Sequence, residues 1–166
     1  MKSKNIKNAL IALTFLFMFS INSNAQISKV EIRATGLTCS MCSNAIYKQL
    51  ESIPEVETVE TDLNTNTFTV ILKEENNLSP RIFKEKVEKA GFFVGTFIVT
   101  AKPETTSNGS YVLLNDKPNS ASEIKFQLLD KGYVTEKEYK KTTKSYKEVG
   151  TYTDGNEDNF HIKIID

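Results

Sequence analysis

Between residues 27 and 100 the spacing of apolar residues switches repeatedly between the period of a strand and that of a helix, and the order of the switches leaves few folds open. In ISKVEIRA, Val30, Ile32 and Ala34 fall on one face and Lys29, Glu31 and Arg33 on the other, a half-buried strand. Gly36 lets the chain turn, after which Cys42, Ile46, Leu50 and Ile53 recur at helical spacing until Pro54. Val59, Thr61 and Leu63 then alternate up to the turn Asn64, Thr65, Asn66, and Phe68, Val70 and Leu72 alternate beyond it, which predicts a β-hairpin. Ser79 and Pro80 read as the N-cap and first residue of a second helix, where proline's missing amide proton costs nothing. Phe83, Val87 and Ala90 give its buried stripe and Gly91 its end. A last strand, Phe92 to Thr100, is apolar on both faces, with Phe93, Phe97 and Val99 on one and Val94 and Ile98 on the other.

The order strand, helix, strand, strand, helix, strand predicts an α+β fold of the ferredoxin-like βαββαβ kind, an antiparallel sheet with two helices on one face. Beyond it, AKPETTSNGS reads as a long turn. Tyr111 to Leu114, Ile124 to Leu128 and HIKII read as strands, and Thr135 with Glu138 as a capping box opening the helix TEKEYKKTTK, whose charges read as a solvated face. These pieces form a small strand-rich α+β C-terminal extension, which either packs on the greasy last strand or leaves it simply as a greasy edge. The expected organisation is residues 1–25 a signal peptide, 26–101 the ferredoxin-like domain and 102–166 the extension.

The signal peptide rests on Lys2, Lys4 and Lys7, the apolar run from Ala9 to Phe19, and Ser23, Asn24, Ala25 at the cleavage point. The run falls short of the roughly 20 residues that cross a bilayer, so no stable membrane insertion is expected after cleavage. Export across the inner membrane into the periplasm is the expected location. Removing 25 of the 166 residues takes three lysines and no acid, leaving 18 basic and 21 acidic side chains and a net charge near −3. That average gives no reason to expect nucleic acid or an anionic membrane as partner.

The only two cysteines, Cys39 and Cys42, stand in GLTCSMC, where the first strand hands over to the first helix. A disulfide stabilises through the loop it closes, and a two-residue gap closes almost nothing, so a mere staple is a weak reading. Metal binding and redox exchange both require two sulfurs to converge, and both remain open on spacing alone. A soft monovalent ion such as Cu(I) is served by two thiolates, whereas structural Zn²⁺ takes four ligands. The single histidine, His161, lies in the distant extension and reads as a packing or surface residue. The amino terminus of the first helix is placed to lower the Cys42 pKa.

GLTCSMC followed by a helix, within this βαββαβ order, resembles the heavy-metal-associated domain of copper chaperones, copper-transporting P-type ATPases and periplasmic mercury-binding proteins. The resemblance covers about half the mature chain. It implies Cys39 and Cys42 as metal ligands, with Cu(I) favoured, Ag(I) or Hg(II) next and Zn(II) behind them. It also implies a metal-transporting ATPase or efflux component as partner in metal trafficking. Leu37 stands where the family usually has Met, packed beneath the loop. Thr38 replaces the acid that precedes the first cysteine in zinc-selective relatives, and Phe92 matches the family's tuning position after the second helix. Met41 reads as an exposed loop tip.

From another class, Cys39 and Cys42 would serve a thiol-disulfide oxidoreductase, but the strand order lacks the parallel pattern of thioredoxins and Thr38 and Ser40 replace their aromatic flanks. An inert disulfide in a structural protein is the third reading. Scattered carboxylates and a histidine without a neighbouring nucleophile motif support no catalytic residues, and no enzyme is expected.

Overall fold

A computed structural model describes residues 27–107, 109–115, 122–153 and 159–165; the expected signal peptide, residues 1–25, lies outside them. The chain forms β1 (Ile27–Thr35), α1 (Ser40–Glu51), β2 (Val56–Asp62), β3 (Thr67–Leu72), α2 (Pro80–Lys89) and β4 (Phe93–Ala101). A 3₁₀ turn (Pro103–Ser107) leads to β5 (Tyr111–Leu113), β6 (Ile124–Leu128), α3 (Glu136–Ser145), α4 (Gly150–Thr153) and β7 (Phe160–Ile164). Among the described residues no helix is long and apolar enough to cross a membrane.

The ferredoxin-like order expected from the apolar periods is present. In α1, Ser43, Ile46 and Leu50 are buried on one stripe. In α2, Ser79 accepts a hydrogen bond from the Arg81 amide through its hydroxyl (3.3 Å), Pro80 occupies the first turn, and Phe83 and Val87 face inward. The Ser79 cap satisfies an amide that the helix itself leaves without a partner. Both helices pack on the apolar face of the sheet, α1 against β2 and α2 against β4.

The extension continues this sheet, whose strand order is β2-β3-β1-β4-β6-β7-β5. All neighbouring strands are antiparallel except β5 and β7. One row of side chains crosses six strands in register, from Val59 through Val70, Val30, Val99 and Phe126 to Ile164. Alternation along a strand keeps i and i+2 on one face, so a pairing in register extends the core. Aromatic contacts run the same way: edge-on from Phe83 to Phe97 (6.3 Å), Phe97 to Tyr133 (5.2 Å), Tyr133 to Phe160 (5.8 Å) and Tyr111 to Phe126 (5.5 Å), and tilted from Tyr111 to Phe160 (5.5 Å). Burial pushes the Tyr111 phenol well above its ordinary pKa. Fully burying one such ring contributes about 1.5–3 kcal/mol, so the extension stabilises the sheet it lies on. A second, smaller cluster of Leu129, Val134 and Tyr152 sits under α3 and α4.

Three local expectations are corrected. Phe93 does not share a face with Phe97 and Val99: Arg33 pairs with Thr96 and Ala34 with Val94, so β4 spends one extra residue, Gly95, at a bulge. The bulge turns Val94 inward and leaves Phe93 exposed. A Cβ at Gly95 would stand 2.5 Å from Thr35 Cγ2, which explains the glycine. Leu63 belongs to the hairpin turn and is exposed, because β2 ends at Asp62, whose carboxylate accepts from the Asn64 amide (2.8 Å). The capping box at α3 is half formed: the Thr135 hydroxyl accepts from the Glu138 amide (3.3 Å), but the Glu138 carboxylate accepts from Gln127 Nε2 on β6.

Candidate metal centre

Gly36 leaves β1 at φ +88°, a conformation that side-chain-bearing residues rarely adopt, and the loop it starts delivers Cys39 to the N-cap of α1. Cys39 is extended (φ −156°, ψ 161°) and offers no side-chain cap, unlike the Ser, Asn or Asp usual there. Its sulfur is thereby left to other partners. Cys42 lies in the first turn of α1, its amide donating to the Cys39 carbonyl (3.1 Å). The two thiols are free and their Sγ atoms approach to 2.9 Å, well beyond the roughly 2.05 Å of a disulfide bond.

The Cys42 thiol is lowered from its ordinary value, first by the hydrogen bond with Cys39 and next by one with the Thr38 backbone. The direction is the one expected from the helix terminus; the causes are these short contacts around the sulfur. A lower pKa raises the thiolate fraction, and the thiolate is the form that ligates metal or attacks a disulfide.

The loop rests on a packed floor. Leu37 packs against the core, and Phe92 approaches Gly36 so closely that a Cβ there would lie 3.9 Å from its ring. Leu thus fills the space expected for Met, and Phe92 takes up the packing role expected of it. The three exposed large apolar side chains of the described residues are Met41 (81% exposed), in the first turn of α1 and not at a loop tip, Leu63 (57%) in the β2–β3 turn and Phe93 (69%) at the start of β4. Leu63 and Phe93 belong to this end of the sheet, since the Ala34 amide donates to the Asn66 carbonyl and Thr35 pairs with Phe93.

His161 is nowhere near this site. On β7 it is 1% exposed, its Nδ1 2.7 Å from Asp130 Oδ1 and its Nε2 2.9 Å from the Thr151 hydroxyl. Its backbone amide also donates to Asp130 Oδ2 (2.7 Å), and Tyr152 stacks edge-on at 4.9 Å. Asp130 is raised above the ordinary carboxylate range by burial, against the pull of its hydrogen bonds with His161. Tyr152 is pushed up to about 12, again chiefly by burial. This grouping is absent from any sequence motif because its members lie 10 and 31 residues apart. It ties β7 to α4, and both ring nitrogens are already occupied. Among the described residues no three His, Cys, Asp or Glu side chains form a metal-holding group, so the donor set at the loop is the dithiol alone.

Fold and site together define a ferredoxin-like domain that opens a close dithiol to solvent between its first strand and first helix. Residues 31–93 match the heavy-metal-associated domain, so this part of the chain is a domain of that family. Among solved structures it is similar to the yeast copper transporter domain CCC2A, solved in apo and Cu(I)-loaded states, at 32% identity over 39% of this chain and 88% of that one (TM-score 0.36). It is similar also to the N-terminal domain of a potential copper-translocating P-type ATPase from Bacillus subtilis, at 31% identity over 40% of this chain and 82% of that one (TM-score 0.36). A comparison with curated proteins finds no match.

Proposed function

We propose that the protein is an exported soft-metal-binding protein that takes Cu(I) as its cargo between the Cys39 and Cys42 thiolates, for trafficking, scavenging or resistance. The observation that carries this reading is the 2.9 Å convergence of two free sulfurs at an exposed corner of a heavy-metal-associated domain. Two thiolates meet the low coordination demand of Cu(I), and Ag(I) or Hg(II) share it. Zn²⁺ ranks below them, because its usual four ligands would have to come from elsewhere. Exposure of Cys39 lets an incoming thiolate enter as Cys42 still holds the ion, so tight binding stays compatible with transfer. The exposed apolar side chains Met41, Leu63 and Phe93 offer a metal-transporting ATPase or efflux component something to seat against during that exchange.

Anaerobically reduced protein lacking residues 1–25 is expected to take up one Cu(I) per chain in competition with a chromophoric chelator, releasing protons as it does so. Failure to compete, or uptake that survives Cys39→Ser and Cys42→Ser, would refute the site. The same sulfur contact favours a second reading, thiol-disulfide exchange. Turnover in insulin reduction without Cu(I) uptake would replace the first reading with this one.

A further inference from the structure

The helix α3 carries Lys137, Lys140, Lys141 and Lys144, with Lys147 one turn further on. These positions recur every three or four residues and therefore share one face. The opposite face is fixed by its contacts. Thr135 caps the helix, Glu138 meets Gln127, Tyr139 lies 5.8 Å from the Tyr152 ring and the Thr142 hydroxyl is 2.8 Å from the Tyr152 hydroxyl. With Tyr139 and Thr142 turned inward, the lysines point directly away from the protein. All five are exposed, and among the described residues none is held in an ion pair.

We propose that this face is an electrostatic landing surface for an anionic lipid bilayer. Four lysines in three turns cost the isolated helix some stability through like-charge repulsion, and among the described residues no ion pair relieves it. An array of headgroup charges would. The stripe is lysine only, with no arginine fork, amide or aromatic ring among its members, so it is built to feel charge density and not to read a shaped phosphate or a base edge. It has no apolar side chain to insert, so the contact is adsorption at the headgroups and not insertion. The chain's overall negative charge does not prevent this. At physiological salt the screening length is about 8 Å, so only the face that touches the surface is felt. A sum over the whole sequence averages the stripe away. The helix also begins beside the metal-bearing end, with Thr135 against Gly95 and near Thr35 and Phe93, so adsorption would keep the dithiol with its carrier at the membrane surface.

The test uses protein lacking residues 1–25, because that apolar segment would partition by itself; the described fold begins at Ile27. Partitioning is measured by sedimentation with phosphatidylcholine vesicles with and without phosphatidylglycerol. Binding is expected only with the anionic lipid, and should disappear as salt rises from about 0.1 M to about 1 M, where the screening length falls to about 3 Å. Each lysine at such a surface contributes roughly fivefold, so changing Lys137, Lys140, Lys141 and Lys144 together to Gln should weaken partitioning by roughly several hundredfold. The corresponding four-Arg variant should retain it. Unchanged circular dichroism and Cu(I) uptake in the Gln variant show that fold and metal site are intact, so the membrane result stands apart from the proposed metal function. Equal binding to neutral vesicles, no loss in the Gln variant, or binding to duplex DNA in place of vesicles would each overturn the proposal.

Discussion

The metal loop and the His161 cluster hold the residue types from which soft and borderline metal sites are made, yet they are built in opposite ways. Cys39 and Cys42 lie at an exposed corner, and their sulfurs have each other, nearby backbone and the Thr38 side chain as partners. His161 is enclosed, with both ring nitrogens and its amide engaged by Asp130 and Thr151. One region leaves its ligating capacity unspent on stability; the other spends all of it. What distinguishes a site from a strut is therefore which lone pairs the fold has already used.

The contrast breaks most sharply under substitution of its central residues. Cys39→Ser or Cys42→Ser should lower Cu(I) affinity by more than the roughly 10–100-fold typical of lost outer-shell partners. Because neither thiol is enclosed in the core, urea unfolding should move by no more than about 0.5 kcal/mol. His161→Ala should do the reverse, with Cu(I) uptake per folded chain unchanged. Its cost in urea unfolding should be about 2–4 kcal/mol, from a cavity and from an Asp130 carboxylate deprived of its partner. A large loss of metal affinity in that variant would mean that the two regions are not separate.

Gly95→Ala sharpens the comparison from the scaffold side, since the new Cβ would meet Thr35 Cγ2. Overpacking there should cost roughly 1–3 kcal/mol, and Thr35→Ser combined with it should recover most of the loss, as a double-mutant cycle in thermal unfolding would reveal.

Acid should act on the two regions with opposite sign. Protons compete with metal for the thiolates, so Cu(I) affinity falls as pH falls, and the lowered Cys42 pKa moves that loss toward more acidic solution. Asp130 is raised in the folded state, so its contribution to stability is fully present below its unfolded pKa and is lost as pH rises through the raised value. Urea midpoints compared across that window should show this small pH dependence in the wild type and its absence in Asp130→Asn.

The first four strands and two helices were legible because their burial follows local period: Val30, Ile32 and Ala34, or Phe83 and Val87, announce their face within a few residues. Phe93 was misjudged because a single inserted residue, Gly95, reverses the alternation, and nothing in FFVGT separates a bulge from a plain strand. In the extension the strands themselves could be read, but not the parallel pairing of β5 with β7, which depends on partners about 50 residues apart. The dithiol was visible as a motif. The lowered Cys42 pKa was anticipated, though its immediate causes are contacts that only coordinates reveal. The Asp130–His161–Thr151 grouping left no local signal at all. Whole-chain charge likewise hid the lysine face of α3, whose orientation depends on where Tyr139 and Thr142 are anchored.

The pairing of β6 onto β4 carries a consequence for how this protein can be divided. A chain severed after Ala101 would keep every residue of the metal loop, yet it would bare the backbone of Ile98 to Ala101 and uncover Phe97 beneath the vanished Tyr133. Such an open, greasy border invites strands from other molecules. The unit that keeps this sheet edge paired is accordingly longer than residues 31–93, and the appended strands are the seam that covers the border.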